Sequence, residues 1–159
     1  MKISLLTGSP HVHGSTNTLA ESFASGAVEA GHDVQQINAA KADIHPCTGC
    51  LACGYNGPCV RKDDMEQIGP AILASDMIVF VSPLYYYGMT AQLKTLIDRF
   101  CSYDVRMRSR GFRSALITAA WNTAEWTFDA ITTHYRTLVR YLGLTDCGMI
   151  RAYGCDNVT

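Results

Sequence analysis

The clearest structural signal in the chain is Met77-Ile-Val-Phe-Val81, which is followed by Ser82-Pro-Leu-Tyr-Tyr-Tyr-Gly88 and then by residues 90–101. The first segment is a short apolar run rich in β-branched residues, and it predicts a buried strand. The second contains proline and glycine, which predict a loop. In the third, apolar residues recur at helical spacing and predict a helix. A buried strand that leads through a loop into a helix is the repeating unit of a parallel sheet.

The same unit repeats on both sides of this stretch. The predicted strands cover residues 2–7, 34–38, 77–81, 111–120 and 145–153. The predicted helices cover residues 16–30, 63 or 64 to 75, 90–101 and 125–142. Strands that alternate with helices indicate an α/β fold whose parallel sheet is covered on both faces. Four arginines between residues 106 and 113 favour a solvated loop, with binding of a pyridine nucleotide's phosphates as the alternative.

Length and composition limit the class of protein. The chain has 159 residues, 48% of them apolar and 17% charged, which predicts a single domain over residues 1–159 with a cysteine-rich insertion at about 44–62. A net charge of −1 gives no general attraction for nucleic acid. No apolar run is long enough for a membrane span or a signal peptide, so the seven cysteines indicate an intracellular, cytoplasmic protein.

One helix is missing from the predicted pattern. A doubly wound sheet of this kind normally finishes with a helix after its fifth strand, and only residues 154–159 remain here. Either the chain is cut short or a partner subunit covers that face of the sheet. We expect a homo-oligomer, specifically a dimer, because an apolar face left open is rarely tolerated by soluble monomers.

Two loops carry the residues that we expect to bind a ligand. The loop after the first strand offers hydroxyl and amide groups at a helix start, which suits a phosphate without any lysine or arginine. It matches neither a Walker loop nor a dinucleotide fingerprint. The loop after the third strand offers three tyrosines, against which a planar heteroaromatic ring can lie. The alternatives are an ordinary helix cap for the first loop and a sheet cap or subunit contact for the second.

Together the two loops resemble the NAD(P)H-dependent FMN reductase family of flavodoxin-like flavoproteins. The resemblance rests on Gly8-Ser-Pro, on Ser15-Thr-Asn-Thr18 and on the stretch from Ser82 to Arg99. It implies a flavodoxin-like three-layer α/β/α sandwich with strand order 2-1-3-4-5. It also implies FMN, with a contribution from the loop after the fourth strand. The expected FMN contacts are Ser9, Ser15, Thr16, Asn17, Thr18, Pro83, Leu84, Tyr85, Tyr86, Tyr87, Gly88, Ala120, Trp121 and Asn122.

A separate motif lies in the insertion. Cys47, Cys50, Cys53 and Cys59 form the pattern C-x2-C-x2-C-x5-C, which is similar to the compact motif of iron–sulfur flavoproteins. Three interpretations stay open: a [4Fe–4S] cluster, a structural zinc ion, or thiols that bind no metal. Cys101, Cys147 and Cys155 are interpreted as structural thiols.

The resulting hypothesis is an FMN-dependent oxidoreductase. A hydride would pass from NAD(P)H to the flavin, and electrons would continue to a quinone, free flavin or redox-protein acceptor. No side chain is assigned as a general acid or base, because the flavin carries the chemistry. The alternatives are an electron carrier that uses a cluster in the cysteine loop, and a flavin-free regulatory or scaffold domain.

Overall fold

The computed structural model describes residues 1–155, whose five strands form one parallel sheet. The strands are β1 (Lys2–Thr7), β2 (Asp33–Asn38), β3 (Met77–Pro83), β4 (Arg113–Ala119) and β5 (Thr145–Ala152). The helices are α1 (Ser15–Glu29), α2 (Met65–Leu73), α3 (Ala91–Asp98), α4 (Asp104–Arg110) and α5 (Asp129–Leu142). The strand order β2-β1-β3-β4-β5 confirms the predicted flavodoxin-like topology.

Each face of the sheet carries its own apolar core. On one face, α1 packs Ala20 and Ala27 against side chains such as Leu5 and Val79. On the opposite face, residues of α2, α3, α4 and α5 surround Phe80. Alternate residues of β3 therefore serve both cores, which explains why this strand is a continuous apolar run.

The segment between β3 and β4 differs from its prediction. The expected helix over residues 90–101 ends at Asp98 and gives way to a 3₁₀ turn, Arg99–Tyr103. The expected loop beyond it is largely the helix α4. This helix forms because Met107 is buried in the core while its arginines face outward, and it ends at Gly111, whose φ of 69° suits glycine.

Two further expectations concern where the last helix begins and whether any helix could span a membrane. The predicted helix over residues 125–142 begins as a short 3₁₀ turn, Glu125–Phe128, before α5. No helix within residues 1–155 combines the length and the apolar character that a membrane span requires. Of the final segment, residues 154–159, only Gly154 and Cys155 belong to the described part of the chain.

The strand order determines where a site forms. β2 lies on one side of β1 and β3 lies on the other, so the connections leave β1 and β3 in opposite directions. Parallel sheets bind ligands at such a switch point, outside the carboxyl ends of the strands. The loops after β1, β3 and β4 all lie at that edge.

Candidate functional site

An open cavity of about 180 Å³ lies at the carboxyl ends of β1, β3 and β4. It is lined by Ser9, His11, Gly14, Ser15, Thr16, Pro83, Leu84, Tyr85, Ala119, Ala120, Trp121 and Cys155. The structure thus brings together residues from all three loops that the sequence singles out. Its lining contains no lysine or arginine, so hydroxyl groups, backbone N–H groups and the His11 imidazole are the donors available to an anion.

The start of α1 provides such donors. Ser15 and Thr16 open the helix and line the cavity. The Asn17 N–H already donates to the Gly14 carbonyl oxygen at 2.9 Å, which leaves the N–H groups of Ser15 and Thr16 in the first turn for a ligand, and the helix dipole adds a partial positive charge. No acidic residue occurs in this turn to oppose an anion. This end of the cavity is therefore suited to a phosphate group.

Asn17 and Thr18 follow but do not line the cavity. Asn17 is buried, and its Nδ2 donates to the carbonyl oxygens of His11 at 2.8 Å and Val12 at 3.2 Å. The exposed Thr18 directs its hydroxyl to the Gly14 carbonyl oxygen at 3.5 Å. Both side chains thus contact the backbone of the loop after β1, and Asn17 holds that loop in shape.

The loops after β1 and β3 are joined through Gly8 and Thr90. The Thr90 hydroxyl donates to the Gly8 carbonyl oxygen at 2.8 Å, and the Gly8 N–H donates to the Val81 carbonyl oxygen at 2.9 Å. A Cβ on Gly8 would lie 2.6 Å from the Cβ of Leu93 and would also strike the Thr90 hydroxyl. Only glycine permits this approach, which links the two walls of the cavity.

The tyrosine loop is a tight hairpin turn. Tyr85 and Gly88 exchange two backbone hydrogen bonds of 3.1 Å, and Tyr86 and Tyr87 between them have φ values of 46° and 65°. Two consecutive positive φ values define a turn that normally contains Asn and Gly. Tyr86 is fully exposed, while Tyr87 stacks on Trp126 with ring centroids 5.1 Å apart.

This turn limits which backbone groups can reach a ligand. The N–H of Leu84 donates to the Ala119 carbonyl oxygen at 2.9 Å. The N–H of Tyr85 donates to the Gly88 carbonyl oxygen, and the N–H of Gly88 donates to the Tyr85 carbonyl oxygen. For the N–H groups of Tyr86 and Tyr87, residues 1–155 supply no acceptor. Tyr86, Tyr87 and Gly88 do not line the cavity, although the adjacent Tyr85 does.

The loop after β4 closes the third side. Ala120 and Trp121 line the cavity, and Trp121 is 76% exposed. Asn122 does not line it, because its Oδ1 accepts from the Ala124 N–H at 3.0 Å. Cys155 was interpreted from sequence as a structural thiol, yet it lines the cavity and donates its N–H to Ala120 at 3.0 Å. Only the parallel pairing of β4 with β5 could reveal that neighbour.

A second, narrower cavity, partly open to solvent, lies in the cysteine-rich insertion. Its walls include all four motif cysteines, Cys47, Cys50, Cys53 and Cys59, and also Cys101 from the 3₁₀ turn that follows α3. The sequence motif did not include Cys101, because it lies 42 residues beyond Cys59 along the chain. We call this space the cysteine cavity.

The thiols in the cysteine cavity differ in acidity. A backbone hydrogen bond from Ala52 and a side-chain hydrogen bond from Thr48 lower the pKa of Cys50. Burial, together with the neighbouring Cys53 and Cys47, raises the pKa of Cys101 to about 11. Cys50 is thus more readily ionised than an ordinary thiol, whereas Cys101 stays protonated at neutral pH.

The backbone around this cavity curls toward the sulfur atoms. The Gly49 N–H approaches Cys47 Sγ at 3.5 Å, and the Arg61 N–H approaches Cys59 Sγ at 3.5 Å. Leu51 and Tyr55 have φ values of 58° and 62°, which few side chains adopt without strain. Within residues 1–155, no three His, Cys, Asp or Glu side chains form a group that could hold a single metal ion.

A buried ion pair anchors the insertion to the core. Arg99 is 1% exposed, and its guanidinium donates to both carboxylate oxygens of Asp63 and to the His45 carbonyl oxygen. Asp63 also accepts from the N–H groups of His45 and Met65. Burial would raise the pKa of Asp63, but these hydrogen bonds and the Arg99 charge outweigh it and lower that pKa. The sequence suggested Asp63 or Asp64 only as a helix cap.

Comparison with known proteins extends this description. An iron–sulfur flavoprotein of Archaeoglobus fulgidus is 33% identical over 111 residues, which are 70% of this chain and 50% of that protein. The iron–sulfur flavoprotein MJ1083 of Methanocaldococcus jannaschii is 35% identical over 99 residues, 62% of this chain and 51% of that protein. The chain therefore spans about half the length of these relatives.

A solved structure supports the same architecture. The NAD(P)H:quinone oxidoreductase from Methanothermobacter marburgensis superimposes with a TM-score of 0.79 at 17% identity, covering 100% of this chain and 86% of that one. At this identity the likeness concerns the fold alone. The model of the NADPH-dependent FMN reductases matches residues 1–146, which include both strand-end loops and the whole cysteine motif. The chain therefore belongs to the NADPH-dependent FMN reductase family.

Proposed function

We propose that this chain is an FMN-dependent oxidoreductase that takes reducing equivalents from NAD(P)H. Family membership supports this proposal, and so does the cavity formed by the loops after β1, β3 and β4. The observation that carries it is the chemistry of the cavity: neutral donors at a helix start on one side, and Leu84, Tyr85 and Trp121 on another. This combination fits a phosphate attached to a flat aromatic ring system.

Each wall has a distinct task in this proposal. Ser9, Ser15 and Thr16 hold the phosphate with their hydroxyl groups and the first N–H groups of α1. Pro83, Leu84 and Tyr85 face the ring, and the N–H groups of Tyr86 and Tyr87 are donors for its polar edge. When bound, FMN supplies hydride acceptance and electron delivery, which no amino-acid side chain provides.

The exposure of Trp121 and Tyr86 leaves one side of the cavity accessible to a second molecule. NAD(P)H and the acceptor would reach the ring from this side in turn. A quinone fits a site with flat aromatic walls, and free flavin or a redox protein are the other acceptors that we consider.

The experiment that tests the phosphate placement is an FMN titration of apoprotein. Replacing Ser9 and Ser15 together by alanine should weaken FMN binding at least tenfold, or about 1.4 kcal/mol. Ser25→Ala is the matched control, because Ser25, like Ser15, belongs to α1 but is exposed and lies away from the cavity. Equal affinities of the double variant and the wild type would contradict the placement.

A second candidate function is electron transfer through an iron–sulfur cluster in the cysteine cavity. The relatives named iron–sulfur flavoproteins favour it, as do the shared cavity of the four motif cysteines and the N–H groups that approach Cys47 and Cys59. A zinc site needs its thiolates around one ion at about 2.3 Å. A [4Fe–4S] cluster binds each thiolate to a different iron, so its ligands stand further apart. Residues 1–155 contain no group placed to hold a single ion, so we favour the cluster over zinc.

Anaerobic reconstitution with iron and sulfide tests this candidate. We expect four iron and four sulfide per chain in the wild type, and loss of most of both in Cys50→Ser. Cys147→Ser is the control, because Cys147 is exposed on β5 and does not line the cavity. Iron far below this stoichiometry in the wild type would leave FMN as the only cofactor of the proposal.

A further inference from the structure

A buried guanidinium forms part of the wall of the cysteine cavity. Arg99 lines it beside Cys59 and Cys101, and only 1% of the residue is exposed. Charged side chains are rarely buried to this degree unless they are paired. Asp63 provides the pairing, but the ion pair alone does not explain why the arginine also faces a group of thiols.

The N–H groups of this guanidinium are only partly supplied with acceptors. Nη1 donates to Asp63 and to the His45 carbonyl oxygen at 2.8 Å, and Nη2 donates to Asp63 at 3.1 Å. The Nε atom is buried, and no atom of residues 1–155 accepts its hydrogen. A buried donor without an acceptor is destabilising, so an acceptor that entered the cavity would remove this penalty.

Cys59 lines the same cavity as Arg99, and its side chain is one of the groups that raise the pKa of Arg99. Its sulfur already receives the Arg61 N–H at 3.5 Å. A metal-bound cysteine is a thiolate, and hydrogen bonds to an ionised acceptor are about twice as strong as neutral ones. Cluster binding would thus convert Cys59 into the acceptor that the buried Nε–H lacks.

We propose that Arg99 is a positioning residue for the iron–sulfur cluster: its Nε–H donates to the Cys59 thiolate and raises the cluster's reduction potential. This inference rests on the proposed cluster. Hydrogen bonds to the sulfur atoms and net charge set such potentials. A cationic donor stabilises the reduced cluster, which carries one more negative charge, more than the oxidised one. Asp63 holds the guanidinium in this orientation before the cluster binds.

The direct test uses the wild-type sequence labelled with ¹⁵N only at the arginine Nε position. Labelling must exclude the backbone, because the Arg61 backbone N–H also donates to Cys59. After anaerobic reconstitution and reduction, pulsed electron paramagnetic resonance should detect a ¹⁵N coupling to the cluster. The coupling should persist in Arg61→Gln, whose exposed side chain also lines the cavity. A full cluster without this coupling would overturn the inference and leave the cluster proposal intact.

The reduction potential of the cluster provides a second readout. Changing Asp63 to asparagine and Arg99 to glutamine together replaces the buried ion pair by two amides. We expect a tenfold shift of the one-electron equilibrium toward the oxidised cluster, which corresponds to a potential about 59 mV more negative. Arg61→Gln should shift it far less, because water screens that charge. An unchanged potential in the double variant would contradict the inference, whereas a wild type that takes up no iron would overturn both proposals.

Discussion

At the scale of single residues, Gly8 decides whether the loops after β1 and β3 can meet. Its carbonyl oxygen accepts the Thr90 hydroxyl, and its α-carbon lies where a methyl group would overlap Leu93. The backbone must shift to admit any side chain, and the shift would separate the walls of the proposed FMN site.

We therefore expect Gly8→Ala to weaken FMN binding at least tenfold, measured by fluorescence titration of apoprotein. Gly26→Ala is the control, because a Cβ there meets no atom within 4 Å and Gly26 lies inside α1. That variant should keep its FMN affinity and gain about 0.5–1 kcal/mol of stability. Unaltered binding by Gly8→Ala would show that the two loops need not touch.

Asp63 carries a second residue-scale prediction. Asp63→Asn leaves Arg99 buried without its counter-charge and should lower the free energy of unfolding by about 3–5 kcal/mol at pH 7. Because the pKa of Asp63 is lowered in the fold, its contribution is complete above the unfolded pKa of about 3.9 and is lost as the pH falls through the lower folded value. The difference between wild type and variant should thus narrow below about pH 4.

Denaturant unfolding at a series of pH values measures this difference. Asp64→Asn is the matched control, because Asp64 is the exposed residue next to Asp63. Asparagine at this position keeps an oxygen that can accept the Asp43 N–H. The control should lose under about 1 kcal/mol. If the difference in the free energy of unfolding between wild type and Asp63→Asn stayed constant down to pH 3, this would contradict the assigned ion pair.

At the scale of elements, the tyrosine turn combines strain with exposure. Tyr86 has a φ of 46° and no packing contacts to lose, since its side chain is fully exposed. A positive φ costs an ordinary residue about 1–2 kcal/mol, and asparagine tolerates it better.

Tyr86→Asn should therefore stabilise the apoprotein by about 0.5–1 kcal/mol in thermal or denaturant unfolding. The same change should weaken FMN binding if the Tyr86 side chain is one of the FMN contacts that the sequence predicts, because asparagine keeps the N–H of residue 86 and removes only the aromatic ring. A gain in stability with unchanged FMN affinity would remove Tyr86 from the proposed site and leave the strain unexplained.

How much could be predicted also depends on the element. β3 and the loop after it follow from an apolar run, a proline and a glycine, so their positions were predicted to within two residues. The helix α4 was missed, because its pattern is masked by arginines and its only deeply buried apolar residue is Met107. Short helices of this kind depend on tertiary packing rather than on local sequence.

The two cavities also differ in how many of their residues could be predicted from the sequence. Local motifs identified most of the loops that line the strand-end cavity, since each motif lies within one strand-to-helix connection. They could not identify Cys101 or Arg99 as neighbours of the cysteine motif, nor Cys155 as a neighbour of Ala120. Those contacts join segments distant along the chain, and they depend on the register of the sheet and on the turn after α3.

At the scale of the whole molecule, large aromatic side chains lie exposed around one end of the sheet. Trp121, Trp126 and Tyr86 are 76%, 55% and 103% exposed. Large exposed apolar side chains that cluster at one place mark interaction sites in many proteins. It adjoins the proposed FMN cavity, so a second subunit placed here would also cover the flavin.

We expect a homodimer in sedimentation velocity experiments at micromolar concentration. Trp126→Lys should shift the protein toward monomer, because it places a charge within the aromatic surface. Arg136→Glu, a charge change on the exposed face of α5, is the control and should leave the sedimentation coefficient unaltered. A monomeric wild type would contradict the interface.

The most direct test of the account is the visible absorption spectrum of the purified chain after FMN has been added and the excess removed, recorded anaerobically before and after NADPH. We predict one FMN per chain, with a flavin band near 450 nm that NADPH bleaches. A protein that emerges colourless from this treatment, or whose bound flavin NADPH cannot bleach, would contradict the proposed oxidoreductase function.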